Sequence, residues 1–179
     1  MKDTDYGKKV GQALKAVTTM HSQVSQLLSD CDSLFPDYVS VFGNIVTSDL
    51  TYHVKADFWM AEGVYRYWFK QGQPVVGVTV IFHQGEDKLE QPLLVVGCLD
   101  YLDVNSQNIR QRCNGWHLWS AAMEWSPQPV QLGEVIPLSD PDGKGTIQNA
   151  KLIVVPLFHI ESLDDLRTLF KRIGVDLPG

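Results

Sequence analysis

Side chains able to do chemistry are scattered along this chain, and few sit at the spacings that chemistry needs. Cys113 and His117 are four residues apart, with Arg110 and Arg112 just upstream. A thiol becomes a nucleophile only beside a base or positive charge that lowers its pKa, so this pair is the first candidate. Asn114-Gly115 lies between the two and breaks any helix that would align them, which favours a spectator thiol. Asp100 and Asp103 flank Tyr101-Leu102, and Glu124 ends a tryptophan-rich stretch. A carboxylate against aromatic walls can hold a raised pKa and act as a general acid or base. His83 and His159 each follow an apolar run and, with Glu161 or Asp100, could ligate a metal or share a proton.

The short motifs fail on their own residues. Gly143-Lys144-Gly145-Thr146 has the outline of a phosphate-binding loop, but Gly145 stands where Ser or Thr must follow the lysine. Leu138 also occupies the place of the upstream glycine. Asp140-x-Asp142 begins like a calcium loop, yet Lys144 takes a ligand position and Lys151 stands where the twelfth-position acid belongs. No two cysteines are close enough for a paired-cysteine zinc site. The expectation is a chain with no cofactor and no metal.

Aromatic residues are the stronger feature. Trp116, Trp119 and Trp125 are interleaved with His117, Met123 and Glu124, while Trp59, Tyr65, Tyr67, Trp68 and Phe69 form a second cluster. Large side chains of this kind build cores, and they are also enriched with Arg at contact surfaces. Arg66, between Tyr65 and Tyr67, suits stacking or pairing with a carboxylate. The residues expected to bind are Trp59, Arg66, Trp68, Tyr101, Trp116, His117 and Trp119.

The elements that must position them follow from periodicity. Val10, Leu14, Val17, His21, Val24 and Leu28 recur at steps of four and three, which predicts an amphipathic helix from about Lys9 to Asp30. Its polar side (Thr18, Ser22, Ser25, Ser29) is almost uncharged, so a second surface in this chain or another is expected to cover it. Thr47-Ser48-Asp49 reads as the cap of a helix running to about Gly63, and Val64 to Lys70 is open between helix and strand. Pro74 to His83 and Pro92 to Tyr101 read as a β-hairpin joined by the polar loop 84–88. Trp116 to Trp125, Val130 to Leu138 and Lys151 to Phe158 read as further strands. Ser162 caps a final helix with Leu163, Leu166, Phe170 and Ile173 inward, acids in its first turn, bases in its last, and Gly174 as its stop.

Helices, then consecutive strands, then a helix indicate a single α+β domain over residues 1–179. The expected architecture is a mainly antiparallel sheet of about five strands, with the N-terminal and C-terminal helices packed on one face. The 179 residues carry 15 Lys and Arg against 21 Asp and Glu, a net charge of -6, which disfavours nucleic acid as a partner. No apolar run is long enough to span a bilayer, and three widely spaced cysteines suit a reducing, cytoplasmic setting. The first functional expectation is a non-enzymatic binding or regulatory domain that acts through an aromatic-rich surface on a protein partner or by self-association. An alternative is a small-molecule site lined by Trp116, Trp119 and Tyr101, with His117, Asp100 or Arg110 orienting the ligand. A hydrolase or transferase using Asp100, Glu124 and a strand-end histidine is the third.

Overall fold

The structure is a computed structural model that describes residues 4–43, 47–49, 61–82 and 89–177. Its centre is an antiparallel sheet built from β1 (Val39–Ser40), β2 (Thr47–Asp49), β3 (Gly63–Phe69), β4 (Val75–Ile81), β5 (Leu93–Tyr101), β6 (Val135–Ser139) and β7 (Ile147–Pro156). The strand order is β1-β3-β4-β5-β7-β6, and β2 pairs with β3 as well. β1 meets the Trp68–Phe69 end of β3 and β2 the Gly63–Tyr65 end, so one edge consists of two short pieces. The sheet is thus six strands wide rather than about five. At the other edge Pro137 stands mid-strand in β6, where a residue without an N–H blunts further pairing.

Side-chain alternation divides the sheet into two buried faces. Val76, Val78 and Val80 of β4, with Leu94 and Val96 of β5, face the terminal helices. There α1 (Thr4–Asp30) contributes Val24 and Leu28, and α4 (Leu163–Arg172) contributes Leu166, Leu169 and Phe170. Between them the 3-10 turn Cys31–Leu34 and Phe35 fill the gap, with Phe35 stacked on Trp68 at 4.8 Å. The opposite face carries Tyr67, Phe69, Val95, Leu99, Leu152 and Val154 under α2 (Ile109–Arg112) and α3 (His117–Met123). The terminal helices do share one face, but the second face is covered too. Covered on both sides, the central strands read as continuous apolar runs instead of alternating ones.

Two readings of the sequence need correction. Trp116 to Trp125 is not a strand, because Leu118, Ala121 and Ala122 are buried at helical spacing along α3. Thr47-Ser48-Asp49 is the short strand β2 rather than a cap, and the segment left open at Val64 is β3. The rest of the helix expected there, residues 50–60, lies outside the described residues, as do Trp59 and the 84–88 loop. The final helix has the cap its sequence implies. Ser162 accepts from Asp165 N–H while the Asp165 carboxylate accepts from Ser162 N–H, and Gly174 leaves the helix at φ 86°.

Candidate functional site

Alternation along β3 separates residues that are adjacent in sequence. Tyr65, Tyr67 and Phe69 turn toward α3, whereas Arg66 and Trp68 turn toward α1 and α4. Arg66 is 3% exposed and pairs bidentately with Asp32, Nη2 to Oδ2 at 2.6 Å and Nε to Oδ1 at 3.0 Å. Trp68 donates its indole N–H to the same Oδ1 at 2.7 Å. Asp32 thereby fastens the end of α1 to the sheet, and neither Arg66 nor Trp68 reaches the surface that the sequence reading assigned to them. Burial, followed by the neighbouring Asp32 charge, pushes the adjacent Cys31 thiol up to about 12.

Tyr101, Trp116, His117 and Trp119 do come together, on the other face. Tyr101 is buried at the end of β5 and donates its hydroxyl to His117 Nδ1 at 2.5 Å. Asn114 N–H also points at Nδ1, at 3.4 Å, so Nδ1 is an acceptor and the ring proton sits on Nε2. Burial lowers the His117 pKa, opposed by Asp142 from the β6–β7 loop. Burial would raise the Asp142 pKa, but N–H groups of Lys144, Thr146 and Ile147 and the Thr146 hydroxyl hold it below the usual carboxylate value. Trp116 packs edge-on against Trp119 at 5.6 Å and lies 6.4 Å from Tyr65. His117 also lies 5.7 Å from Trp125.

Cys113 lies under this cluster in hydrogen-bond reach of the Tyr101 hydroxyl. The Tyr101 hydroxyl thus lies between the Cys113 thiol and His117 Nδ1 and links the three side chains. The thiol is 4% exposed, and burial pushes its pKa up to about 12. It is therefore protonated at neutral pH and unsuited to attack. The loop through Asn114-Gly115 brings Cys113 and His117 into one network through Tyr101, without a helix joining them. Of the proposed carboxylates, Asp103 and Glu124 are exposed and Asp100 is half-buried. Among the described residues no group of three or more His, Cys, Asp or Glu could hold a metal ion, and His83 lies outside them.

Residues missed by sequence reasoning hold this face together. Gly77 of β4 and Gly97 of β5 are directly opposed, and a Cβ on either would run into Leu118. The paired glycines make a notch in the sheet that receives Leu118 of α3. Tyr67 donates its hydroxyl to Gly115 C=O at 2.9 Å and accepts from Leu118 N–H at 3.1 Å, which ties the start of α3 to β3. Gly115 has no room for a side chain because the Tyr65 ring lies over it. Two mid-strand glycines opposite one another were the readable signal for this contact.

Surface features lie elsewhere. The first half of α1 forms an exposed arm over residues 5–16, of which Gln12, Lys15 and Ala16 line a cleft with Phe158. At 1.5 Å per residue that arm is about 18 Å long. It presents Tyr6 (68% exposed), Val10 (40%) and Leu14 (64%), and Phe158 (63%) stands at its foot. A cleft of about 620 Å³ lies between Phe158 and the side of α1 that carries Gln12, Ala16, Thr19, Met20 and Gln23. A second cleft, of about 480 Å³, is lined by Tyr38, Lys70, Gln73, Cys98 and Asp176 among others. There Lys70 Nζ sits 5.7 Å over the Tyr38 ring and 3.4 Å from Asp37. No described helix is long and apolar enough to cross a membrane. No family model, no curated protein and no solved structure matches this chain.

Proposed function

We propose that this protein is a non-enzymatic binding domain that docks onto another polypeptide through the apolar stripe of the α1 arm. One observation carries the reading: about the first three turns of α1 leave Tyr6, Val10 and Leu14 exposed. Isolated helices this short are marginal in water, and Gly7 and Gly11 weaken this one further, so a covering partner is what would stabilise it. The aromatic cluster around His117 then serves to rigidify the second face, with Trp116 and Trp119 its half-exposed rim. The groups that would do chemistry there support this role, since the Cys113 thiol stays protonated and burial favours neutral His117. A cytoplasmic location fits three cysteines that are all free. A net charge of -6 favours protein over nucleic acid as the partner.

The test compares the wild-type chain with a Val10→Ser, Leu14→Ser variant for association with itself and for recovery of a partner. Association lost in the variant, with the thermal midpoint retained, supports the reading. Equal association by both overturns it. A second reading, small-molecule binding, is favoured by the 480 Å³ cleft, whose volume and mixed polar lining suit a small polar metabolite. A metabolite panel that leaves the thermal midpoint unmoved removes it.

A further inference from the structure

We infer that the 480 Å³ cleft takes a small organic cation, a primary amine on a short apolar chain; this rests on the small-molecule reading above. Four stretches far apart in sequence converge there: residues 36–38 ahead of β1, the β3–β4 turn with Lys70 and Gln73, Cys98 on β5, and residues 174–177 beyond α4. The floor is apolar, with Val76, Val175 and Leu177 buried. The rim is polar, with Asp37, Lys70, Gln73 and Asp176. An apolar floor under a few charged groups is the pattern that holds and orients a small ligand.

Charge selects among ligands. Two carboxylates line the cleft against the single ammonium of Lys70. Asp37 answers that ammonium at 3.4 Å, and the Tyr38 ring lies 5.7 Å beneath it. Asp176 takes part in no ion pair among the described residues, so the lining keeps one unanswered negative charge. Burial raises the Tyr38 pKa, and Asp176, Asp37 and Cys98 raise it further, which places both carboxylates near that hydroxyl. Burial also raises the Cys98 pKa, with Lys151 lowering it and Asp100 raising it, so the charges behind the floor balance.

An anion entering the cleft meets a lysine already paired and an aspartate that repels it. A zwitterion brings a carboxylate that nothing is left to receive. A monocation gains Asp176 and the Tyr38 oxygen as acceptors while its chain covers Val76, Cys98 and Val175. Lys70 itself shows the preference, being an ammonium on an alkyl stem held by an acid and an aromatic face.

The test uses hexylamine, 6-aminohexanoate and hexanoate, which share an alkyl chain and differ in charge. At about pH 8 both amines are protonated. The readout is alkylation of Cys98 by iodoacetamide in the full chain, followed by mass; Cys31 and Cys113 are buried and Cys98 is only partly so. Hexylamine at roughly 10 mM is expected to slow labelling about fivefold, and the two carboxylates to leave it within about twofold. Asp176→Asn should require about fivefold more hexylamine, and Lys70→Gln about threefold less, because it removes the competing ammonium. Both positions are exposed, and an unchanged thermal midpoint confirms that each variant is folded. Hexanoate protecting as well as hexylamine overturns the amine and leaves the small-molecule reading standing. Protection indifferent to Asp176→Asn overturns it too. Protection by none of the three also overturns it, and a metabolite panel without effect then removes the small-molecule reading as well.

Discussion

Leu14 and Leu28 occupy the same apolar stripe of the same helix, yet one is 64% exposed and the other fully buried. The two halves of α1 have the same periodicity and differ only in what stands opposite. Beside Leu28 are the sheet, α4 and the Asp32 clamp on Arg66 and Trp68; Leu14 belongs to no core cluster among the described residues. Periodicity therefore reports that a face will be covered. It does not report whether the cover comes from the same molecule.

The sharpest way to break that comparison is to truncate each leucine. Leu28→Ala is expected to cost about 3 kcal/mol in urea unfolding, from lost burial and the cavity left behind. Leu14→Ala should stay within about 0.5 kcal/mol in dilute protein, as exposed substitutions do. Equal losses would mean that the arm is packed in the monomer. Asp32→Ala should cost about 3 kcal/mol, since it strands the buried Arg66 guanidinium and frees the Trp68 indole; half of Asp32 is solvent-exposed, which keeps the loss at the low end for a broken buried pair. No measurable loss would mean that the clamp is not what joins α1 to the sheet.

Glycines sharpen the same contrast. Gly11→Ala meets nothing within 4 Å and should raise arm helicity, worth about 1 kcal/mol. Gly97→Ala crowds Leu118 and should cost about 1–3 kcal/mol. Circular dichroism and unfolding midpoints of the two variants should move in opposite directions. The smallest effect concerns pH. Because burial lowers the folded-state pKa of His117, the unfolded chain takes up its proton first as pH falls. Stability from this residue is thus full above about 6.5, declines below it, and levels off below the lowered folded value. His117→Gln should remove that decline, and an unchanged pH profile would show that the ring is not shielded.

Much of the fold was legible because single elements announce themselves. Ser162, Asp165 and Gly174 define α4 through local chemistry that needs no tertiary contact. Pro74 to His83 and Pro92 to Tyr101 are β-rich runs bounded by breakers, and β4 and β5 lie inside them. The segment Trp116 to Trp125 misled because aromatic residues favour strands while Leu118, Ala121 and Ala122 mark a helix, and over seven residues the two signals are nearly equal. Arg66 and Trp68 looked like surface residues because their partner, Asp32, lies more than thirty positions away. The Tyr101–His117 contact was equally hidden, since it joins a strand end to a helix start across the irregular turn at Asn114-Gly115.

By itself the sequence determined the periodic elements, the caps, the acidic balance and the lack of a recognised catalytic motif, because each depends on neighbours a few bonds away. Tertiary structure decided which aromatic residues share a face, which acid meets Arg66, and that the second side of the sheet is covered. It also decided that the first half of α1 is exposed. Those outcomes depend on pairings between distant segments, and a two-residue alternation along β3 was enough to send Tyr67 and Trp68 to opposite sides of the molecule.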